Sequence, residues 1–359
     1  MTRFAWLQAR TQTATAVAML AVLSVAAAIT GIQLSHLYSQ LVAQCNTGIG
    51  CNLATGRFLS HDHFMDHTFD IVAQAAPALF GIFWGAPLVA REFETGTYQL
   101  AWTQSVTRAR WLRTRLLIVG LLTAALAGVL TLTITWWYRN FHGLSSNQYA
   151  VLERRDIAPI GYAVFAVGLG VLAGALIRRT VPAMAATIGG YVFARVATTF
   201  WIRPNLLSPV HQTLSLSDSG PTTAVQLGIV ATNGSNLELM AQGSGPANSW
   251  TLSSQVVSNG GGHVATHAQL AEFIHTYCPT VGFGPEPAPG GLNVPQPGGP
   301  GEDAARACLH QAAQAFHLVV TYQPANRYWT FQWLETGIFV ALAGLCAATC
   351  YWWITRRAS

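Results

Sequence analysis

Lysine is absent from this chain, since every one of its 19 basic residues is arginine. The phosphate-binding P-loop needs its lysine, so the chain carries no standard P-loop, and any ATP that drives it is bound by another polypeptide. Charged residues of either sign make up only 9% of the chain, against roughly 25% in soluble domains. About half of the residues are apolar. This composition indicates a membrane protein, and the exclusive use of arginine indicates a GC-rich genome.

Common catalytic signatures are also missing. The sequence contains no GxSxG, no HExxH and no paired CxxC, and nothing in it suggests nucleic-acid recognition. We therefore expect no cofactor in this chain. The densest group of metal-binding residue types is "HDHFMDH", with His61, His63 and His67 just before an apolar run. These histidines are candidates for a metal site, and a membrane enzyme acting through this loop would require that metal. The alternative is a solvated polar loop.

Six apolar runs are long enough to cross a hydrocarbon core about 30 Å thick as helices. The first run is longer than the core of a cleavable signal peptide, so we interpret it as a retained span. The predicted fold class is an all-α polytopic membrane protein with six transmembrane helices. Their predicted positions are 14–34, 69–90, 116–137, 157–177, 181–202 and 334–354.

The arginines are distributed unevenly between the connecting segments. Eleven lie in the two termini and in the loops after the second and fourth spans, against four in the short alternate loops. By the positive-inside rule, both termini are cytoplasmic. The chain then divides into a five-helix membrane part (1–202), an extracellular domain (203–330), and a sixth helix with a short cytoplasmic tail (331–359). The predicted location is the plasma membrane.

The extracellular domain differs in composition from the spans. "AVQLGIVAT" and "HLVVTYQ" are typical of strands, whereas "THAQLAEFIHTY" and "EDAARACLHQAAQAFH" are typical of helices. The helical segments flank a loop rich in proline and glycine, which predicts a small α+β domain. An oxidising exterior would allow two disulfides, with free thiols as the alternative. The predicted pairs are Cys45 with Cys51 and Cys278 with Cys308.

One charge lies inside a predicted span. Arg195 belongs to the fifth run, where an arginine near the bilayer centre costs about 2.5 to 3.5 kcal/mol on insertion scales. It either faces a cavity, a partner or a translocation path, or extends to the outer interface. Asp70 and Glu335, at the outer starts of the second and last spans, are its candidate partners.

The segment between the second and third spans, "REFETGTYQLAWTQSVTRARW", is unusually polar for its position. Glu92 and Glu94 end the second run, and Gly96 permits a sharp bend. The spacing of the residues that follow predicts a short helix with a Tyr98/Trp102 face. Such a face suits docking into a groove of a cytoplasmic partner. The alternative is a simple turn whose aromatic rings rest among lipid headgroups.

Three segments resemble a known family. "GAPLVAREFETGTYQLAWTQSVTRARWLRTRL", "IAPIGYAVFAVGLGVLAGALIRRTVPAMAAT" and "FWIRPNLLSPV" look like the permeases of type-two ABC exporters, in the branch common in actinobacteria. The resemblance covers roughly residues 1–210 and the last span. It implies a permease subunit that works with a separate ATPase chain, which holds ATP and Mg²⁺. It also implies that two permeases pair as a homodimer or heterodimer.

The resemblance further implies that residues 91–115 form the coupling loop and that the N-terminal segment is an elbow helix. The residues that it assigns to ATPase coupling are Glu92, Glu94, Gly96, Thr97, Tyr98, Trp102 and Arg108. The spans carry few charges, which favours a hydrophobic or amphipathic cargo such as a drug, an antibiotic or a lipid. The alternative function is a membrane-anchored receptor or sensor whose extracellular domain binds a ligand.

Overall fold

The computed structural model describes residues 2–46, 63–96, 108–139, 148–216, 225–232, 236–277 and 302–356. The chain divides into two compact units. The helical unit comprises residues 1–145, 150–206 and 328–359, and the α+β unit comprises residues 146–149 and 207–327.

The helical unit contains long helices joined by short polar segments. Two five-residue π-helical turns, Gly81–Gly85 and Thr198–Ile202, continue α2 and α6. The second of them is followed by a short helical turn, Arg203–Asn205. The helices are α1 (Thr2–Asn46), α2 (His63–Phe80), α3 (Ala86–Thr95), α4 (Arg108–Tyr138), α5 (Ala158–Ile177), α6 (Thr180–Ala197) and α9 (Tyr328–Arg356).

Five helical segments of the described chain are long and apolar enough to cross a membrane. They are Thr13–Gln40, Phe64–Thr95, Arg110–Tyr138, Ala158–Ile177 and Ala325–Arg356. They overlap five of the six predicted spans, so the prediction of a polytopic, mostly helical membrane protein is confirmed at this level. The remaining run, 181–202, is helical too, as α6 and its π-helical turn. Its span status, like the orientation of the termini, stays a prediction.

Helix α5 lies at the centre of the helical unit. Its buried positions run almost around the whole helix, because α2, α3, α4, α6 and α9 all pack against it. The closest approach is built from glycine. A methyl group on Gly85 would lie 2.6 Å from the carbonyl oxygen of Val167, and one on Gly174 would lie 2.5 Å from that of Ala86. Gly170 and Gly174, four residues apart on α5, therefore serve close packing within the chain.

Helix α1 packs against α2 and α4 around the buried side chains of Leu34, Phe69 and Trp137. The Trp137 indole donates a hydrogen bond to the Thr30 hydroxyl at 3.0 Å, which joins α1 to α4. The N-terminal elbow expected before the first span is not a separate helix, because α1 is continuous from Thr2 to Asn46. No glycine, proline or capping break interrupts residues 2–13, so the helix extends through them.

The α+β unit contains a three-stranded antiparallel sheet and a separate two-stranded hairpin. The sheet has the order β1–β5–β4, with β1 (Val210–Ser215), β4 (Trp250–Ser258) and β5 (Phe316–Gln323). The hairpin joins β2 (Val225–Thr232) to β3 (Asn236–Gly243). Helices α7 (His267–Tyr277) and α8 (Glu302–Ala315) complete the unit.

Alternation along β5 buries Phe316, Leu318 and Val320 against α7 and α8. The two strands and two helices expected from sequence are confirmed, and the structure adds β1, β3 and β4. Cys308 is buried in this core, but its predicted partner Cys278 lies outside the described residues. The Cys45–Cys51 pair falls on residues whose side chains are not described. Both disulfides therefore stay predictions. Among the cysteines of the described residues, Cys346 and Cys350 are free thiols.

Candidate functional site

The first charged group of the helical unit lies where α3 ends, and we call it the loop-entry cluster (Glu92, Glu94, Arg115 and Thr180). The Glu92 carboxylate forms a salt bridge with Arg115 of α4, and both side chains are largely buried. The Arg115 guanidinium also lies 4.6 Å from the centre of the Trp111 ring and donates to the Leu88 carbonyl at 3.3 Å. The end of α3 is therefore fixed to the start of α4.

Glu94 makes a second connection, to α6. One of its carboxylate oxygens accepts two hydrogen bonds from Thr180, from the backbone N–H at 3.1 Å and from the hydroxyl at 2.6 Å. Thr180 is the first residue of α6. The N–H groups in the first turn of a helix have no partner within that helix. Glu94 thus caps a neighbouring helix across the chain and places a negative charge at its positive end.

Gly96 ends α3 in the left-handed conformation, with φ +71°. Residues with a Cβ atom disfavour this region, so the predicted bend after Glu94 is borne out by the backbone. Thr97, Tyr98 and Trp102 lie outside the described residues. Arg108 begins α4, and its side chain is not described.

The second charged group lies at the other end of α6, and we call it the charge network (Glu153, Tyr162, Arg195, Arg203 and Glu335). Arg203 binds Glu335 with two nitrogens, at 2.9 and 2.7 Å, and also pairs with Glu153. Arg195 pairs with Glu153 at 2.6 Å and contacts Glu335 at 3.4 Å. The Tyr162 hydroxyl donates to Glu335, and the Arg195 guanidinium lies 3.8 Å from the centre of the Tyr162 ring.

The network contains two positive and two negative groups, so it is neutral overall. The Glu335 side chain is fully buried, and that of Arg203 is 8% exposed. Burial by itself would raise the pKa of Glu153, but Arg195 and Arg203 hold the pKa of this carboxyl below its usual range. Thr199 adds a hydrogen bond to Glu153 at 3.0 Å. Each of the four charges therefore has at least two partners.

Of the two partners predicted for Arg195, the structure brings Glu335 to it and places Asp70 elsewhere. Asp70 forms a salt bridge with Arg154 at 2.9 Å. Arg154 also reaches Asp66, which accepts a hydrogen bond from Tyr138. Asp70 thus belongs to a different group, because the helical rotation of α2 directs it toward the segment that precedes α5.

That segment is held by the start of α9. The buried Gln332 amide donates to the carbonyl oxygens of Leu152 and Arg155, and its oxygen accepts from the N–H of Ala158. Tyr328 donates to Asp156 and accepts from Arg155 at 3.1 Å. These hydrogen bonds hold the backbone at Leu152 and Arg155, on both sides of Glu153. The segment therefore keeps Glu153 in a fixed position in the charge network.

Within the described part of the chain, no group of three or more His, Cys, Asp or Glu side chains is arranged to hold a metal ion. The predicted histidine group is only partly described. His67 is exposed on α2, whereas the side chains of His61 and His63 are not described.

An apolar cavity of about 630 Å³ lies between α1, α2 and α4 and is open on the side where Met19, Ile71 and Phe83 are exposed. Thr15 is the single residue with a hydroxyl in its lining, and Phe83 and Trp84 of the π-helical turn form part of the wall. Its size is within the range of small-molecule sites, roughly 300 to 1,000 Å³. With no charged residue in the lining, it would accept only apolar groups.

Sequence reasoning missed several members of these groups. The sequence places Glu153 in an outer loop and Arg203 at the start of the extracellular domain, because these residue types are ordinary in polar segments. The proline after Arg203 was a usable signal, since it allows the helix to continue from its first turn. Arg115 was read only as a positive anchor, and Thr180 was not singled out.

A comparison with family models decides what kind of protein carries these groups. The model described as "ABC-2 membrane transporter related" matches residues 17–203, just over half of the chain. The chain belongs to this family. It is therefore an ABC-2 type permease, the membrane component of an ABC transporter, and a multi-pass membrane protein. No curated protein and no solved structure matches the chain.

The matched range includes the whole loop-entry cluster of this permease. It also includes Glu153, Tyr162, Arg195 and Arg203 of the charge network, whereas Glu335 lies beyond it. Apart from residues 146–149, the α+β unit falls outside the match, so the family says nothing about its role.

Proposed function

We propose that this permease is the membrane subunit of an ATP-driven exporter, with ATP and Mg²⁺ bound by a separate cytoplasmic ATPase subunit. Family membership carries this proposal, since ABC-2 permeases normally work with such a subunit. The absence of lysine, and with it of a P-loop, is consistent with an ATP site on another chain. Two permease copies, or this chain and a paralogue, would pair in the membrane.

In this proposal the chain has six spans with both termini in the cytoplasm, and α6 is the fifth span. The loop between α3 and α4 then lies on the cytoplasmic side, where the ATPase binds. Two features of the structure support a coupling role for this loop. It leaves α3 through the bend at Gly96, and the residues just before the bend are tied to α4 and α6.

The proposed cargo is hydrophobic or amphipathic. All four charges of the charge network are satisfied by one another, so they offer no free group to a charged cargo. The apolar cavity between α1, α2 and α4 is consistent with an uncharged one. A role for Arg195 and Glu335 in lining the translocation path is correspondingly less favoured than a role in holding the helices together.

The test begins with purification of the chain together with its native partners. We expect an ABC ATPase to co-purify, and proteoliposomes containing the complex to move a hydrophobic fluorescent probe when ATP is supplied. Gly96→Val should still bind the ATPase but transport little per ATP hydrolysed, because valine resists the left-handed conformation. Gly120→Ala is the control, since a methyl there meets nothing within 4 Å. Transport by Gly96→Val at the wild-type rate would refute the assignment of this loop.

A further inference from the structure

We propose that Glu94 is an internal positioning residue, which ties the loop after Gly96 to the start of α6, so that α6 carries movement of that loop to the charge network. This inference rests on the proposed function and deepens it. It gives Glu94 a partner within the chain and gives the movement a defined route.

The first step of the route is the double hydrogen bond between Glu94 and Thr180. Both bonds go to a single carboxylate oxygen, at 3.1 and 2.6 Å, and the acceptor is two residues from Gly96. A charged acceptor makes hydrogen bonds about twice as strong as a neutral one. A displacement of the loop that moves Glu94 must therefore pull on the first turn of α6 or break both bonds.

The connection after α5 makes the start of α6 responsive to such a pull. Arg178 ends α5 in the left-handed conformation, with φ +58°, and Arg179 is extended before α6 begins. The link between the two helices is thus a two-residue corner. The Arg178 guanidinium lies 5.4 Å from the centre of the Phe93 ring, which is a second contact from the end of α3 to this corner.

The second step is α6 itself. From Thr180 to Arg195 the helix rises ~22 Å, most of the thickness of a hydrocarbon core. Its middle is held on one face only, through Ala183, Thr187 and Tyr191, and the opposite face is exposed. Because the two ends of α6 are joined to polar groups, a displacement at its start is carried along the helix to its other end.

The third step is the arrival at the charge network. Arg195 and Thr199 are on α6 and its π-helical turn, and both bind Glu153. Arg203 follows the turn directly and binds Glu335 of α9. A shift of α6 therefore cannot leave the network unchanged, and it reaches both the segment before α5 and the last span.

The alternative role for Glu94 is direct contact with the ATPase. A reversible covalent bond between positions 94 and 180 distinguishes that role from the relay. In the variant Glu94→Cys/Thr180→Cys, oxidation should form a disulfide in the purified complex. While reduced, this variant lacks the hydrogen bonds and should transport about tenfold fewer probe molecules per ATP, as expected when hydrogen bonds to a charged group are lost. Oxidation should restore most of the wild-type ratio, because the tie is remade although the carboxylate is gone.

Matched variants show whether the change is specific. Thr180→Ser keeps both donors and should transport as the wild type does, whereas Thr180→Val loses the hydroxyl and should be impaired. Thr349→Val removes a hydroxyl that bonds to the Leu345 carbonyl of its own helix, away from both charged groups, and should have no effect. A purely structural role would change the amount of folded complex and leave the ratio of transport to ATP hydrolysis intact.

The possible failures are distinguishable. If the wild-type complex shows no ATP-dependent transport, the proposed function fails, and the relay with it. If the wild type transports but the oxidised cysteine pair stays uncoupled, the relay through Glu94 and α6 is overturned and direct ATPase contact replaces it. A Thr180→Val variant that transports as the wild type does would also overturn the relay.

Discussion

The two charged groups at the ends of α6 are built differently. In the loop-entry cluster, Glu92 and Glu94 each have a separate set of partners, and the Glu94 side chain is exposed. In the charge network, two arginines and two glutamates share one another, and Glu335 has no exposed surface. Separate pairs can break one at a time, whereas a shared network must rearrange together. The first design suits a local connection between neighbouring helices, and the second suits a group of helices that must rearrange together.

The largest expected effect comes from removing the centre of the charge network. Glu335→Ala leaves Arg203 and Arg195 without their shared buried partner, and breaking a buried ion pair in this way costs about 3 to 5 kcal/mol. We expect a large fall in the thermal unfolding temperature of the purified permease. Glu272→Ala, at an exposed position of α7, is the control. Equal effects from the two variants would mean that the network contributes no more than a surface charge.

The next largest effect is expected from the helix packing between the loop-entry cluster and the charge network. A methyl group on Gly170 would overlap the carbonyl oxygen of Gly81, so Gly170→Ala must push α2 and α5 apart. We expect a loss of about 1 to 3 kcal/mol in unfolding free energy, as for overpacked cores. Gly189→Ala is the matched control on α6, because a methyl there meets nothing within 4 Å. If Gly170→Ala and Gly189→Ala have the same free energy of unfolding, the helices at Gly170 can move apart at no cost.

Gly96→Ala should have a smaller effect at the loop-entry cluster. No atom of the described residues lies within 4 Å of the added methyl, so the cost comes from the left-handed backbone and amounts to about 1 kcal/mol. Gly96→Asn should lose less, since asparagine tolerates this conformation better. The two variants can be ranked by unfolding in detergent micelles. An alanine variant as stable as the wild type would show that the bend relaxes at no cost.

The pH dependence provides the finest comparison. The pKa of Glu153 is lowered in the folded protein, so the ionised carboxylate contributes stability above its usual pKa. This contribution is lost as the pH falls through the lowered value. We expect acid to destabilise the wild type more steeply than Glu153→Gln, measured as unfolding temperature against pH. Parallel profiles for the two proteins would indicate that Glu153 keeps its charge at no benefit to the fold.

The sequence predicted the features that depend on local pattern. Apolar length located five helices, glycine located the bend at Gly96, and the cost of a charge in lipid selected Arg195 and led to Glu335. It did not predict that Arg203 would join Glu153, 50 residues away, and Glu335, 132 residues away. Such pairs depend on how helices pack around α5, which no periodicity encodes. For the same reason the sequence wrongly suggests Asp70 as a partner of Arg195. A position near the end of a span does not specify toward which neighbour the residue points.

The π-helical turn Gly81–Gly85 has a consequence for reading related sequences. A turn of this kind holds one more residue than an α-helical turn, so it changes the phase of the helix at a single point. If the α-helical periodicity of α2 is extended past this turn, it misplaces the side chains of α3 by about 100° around the helix axis. Homologues that lack one residue here would keep Glu92 and Glu94 in place only by rotating α2. A one-residue gap in an alignment at this turn would thus mark a change in the helix, and not a change in loop length.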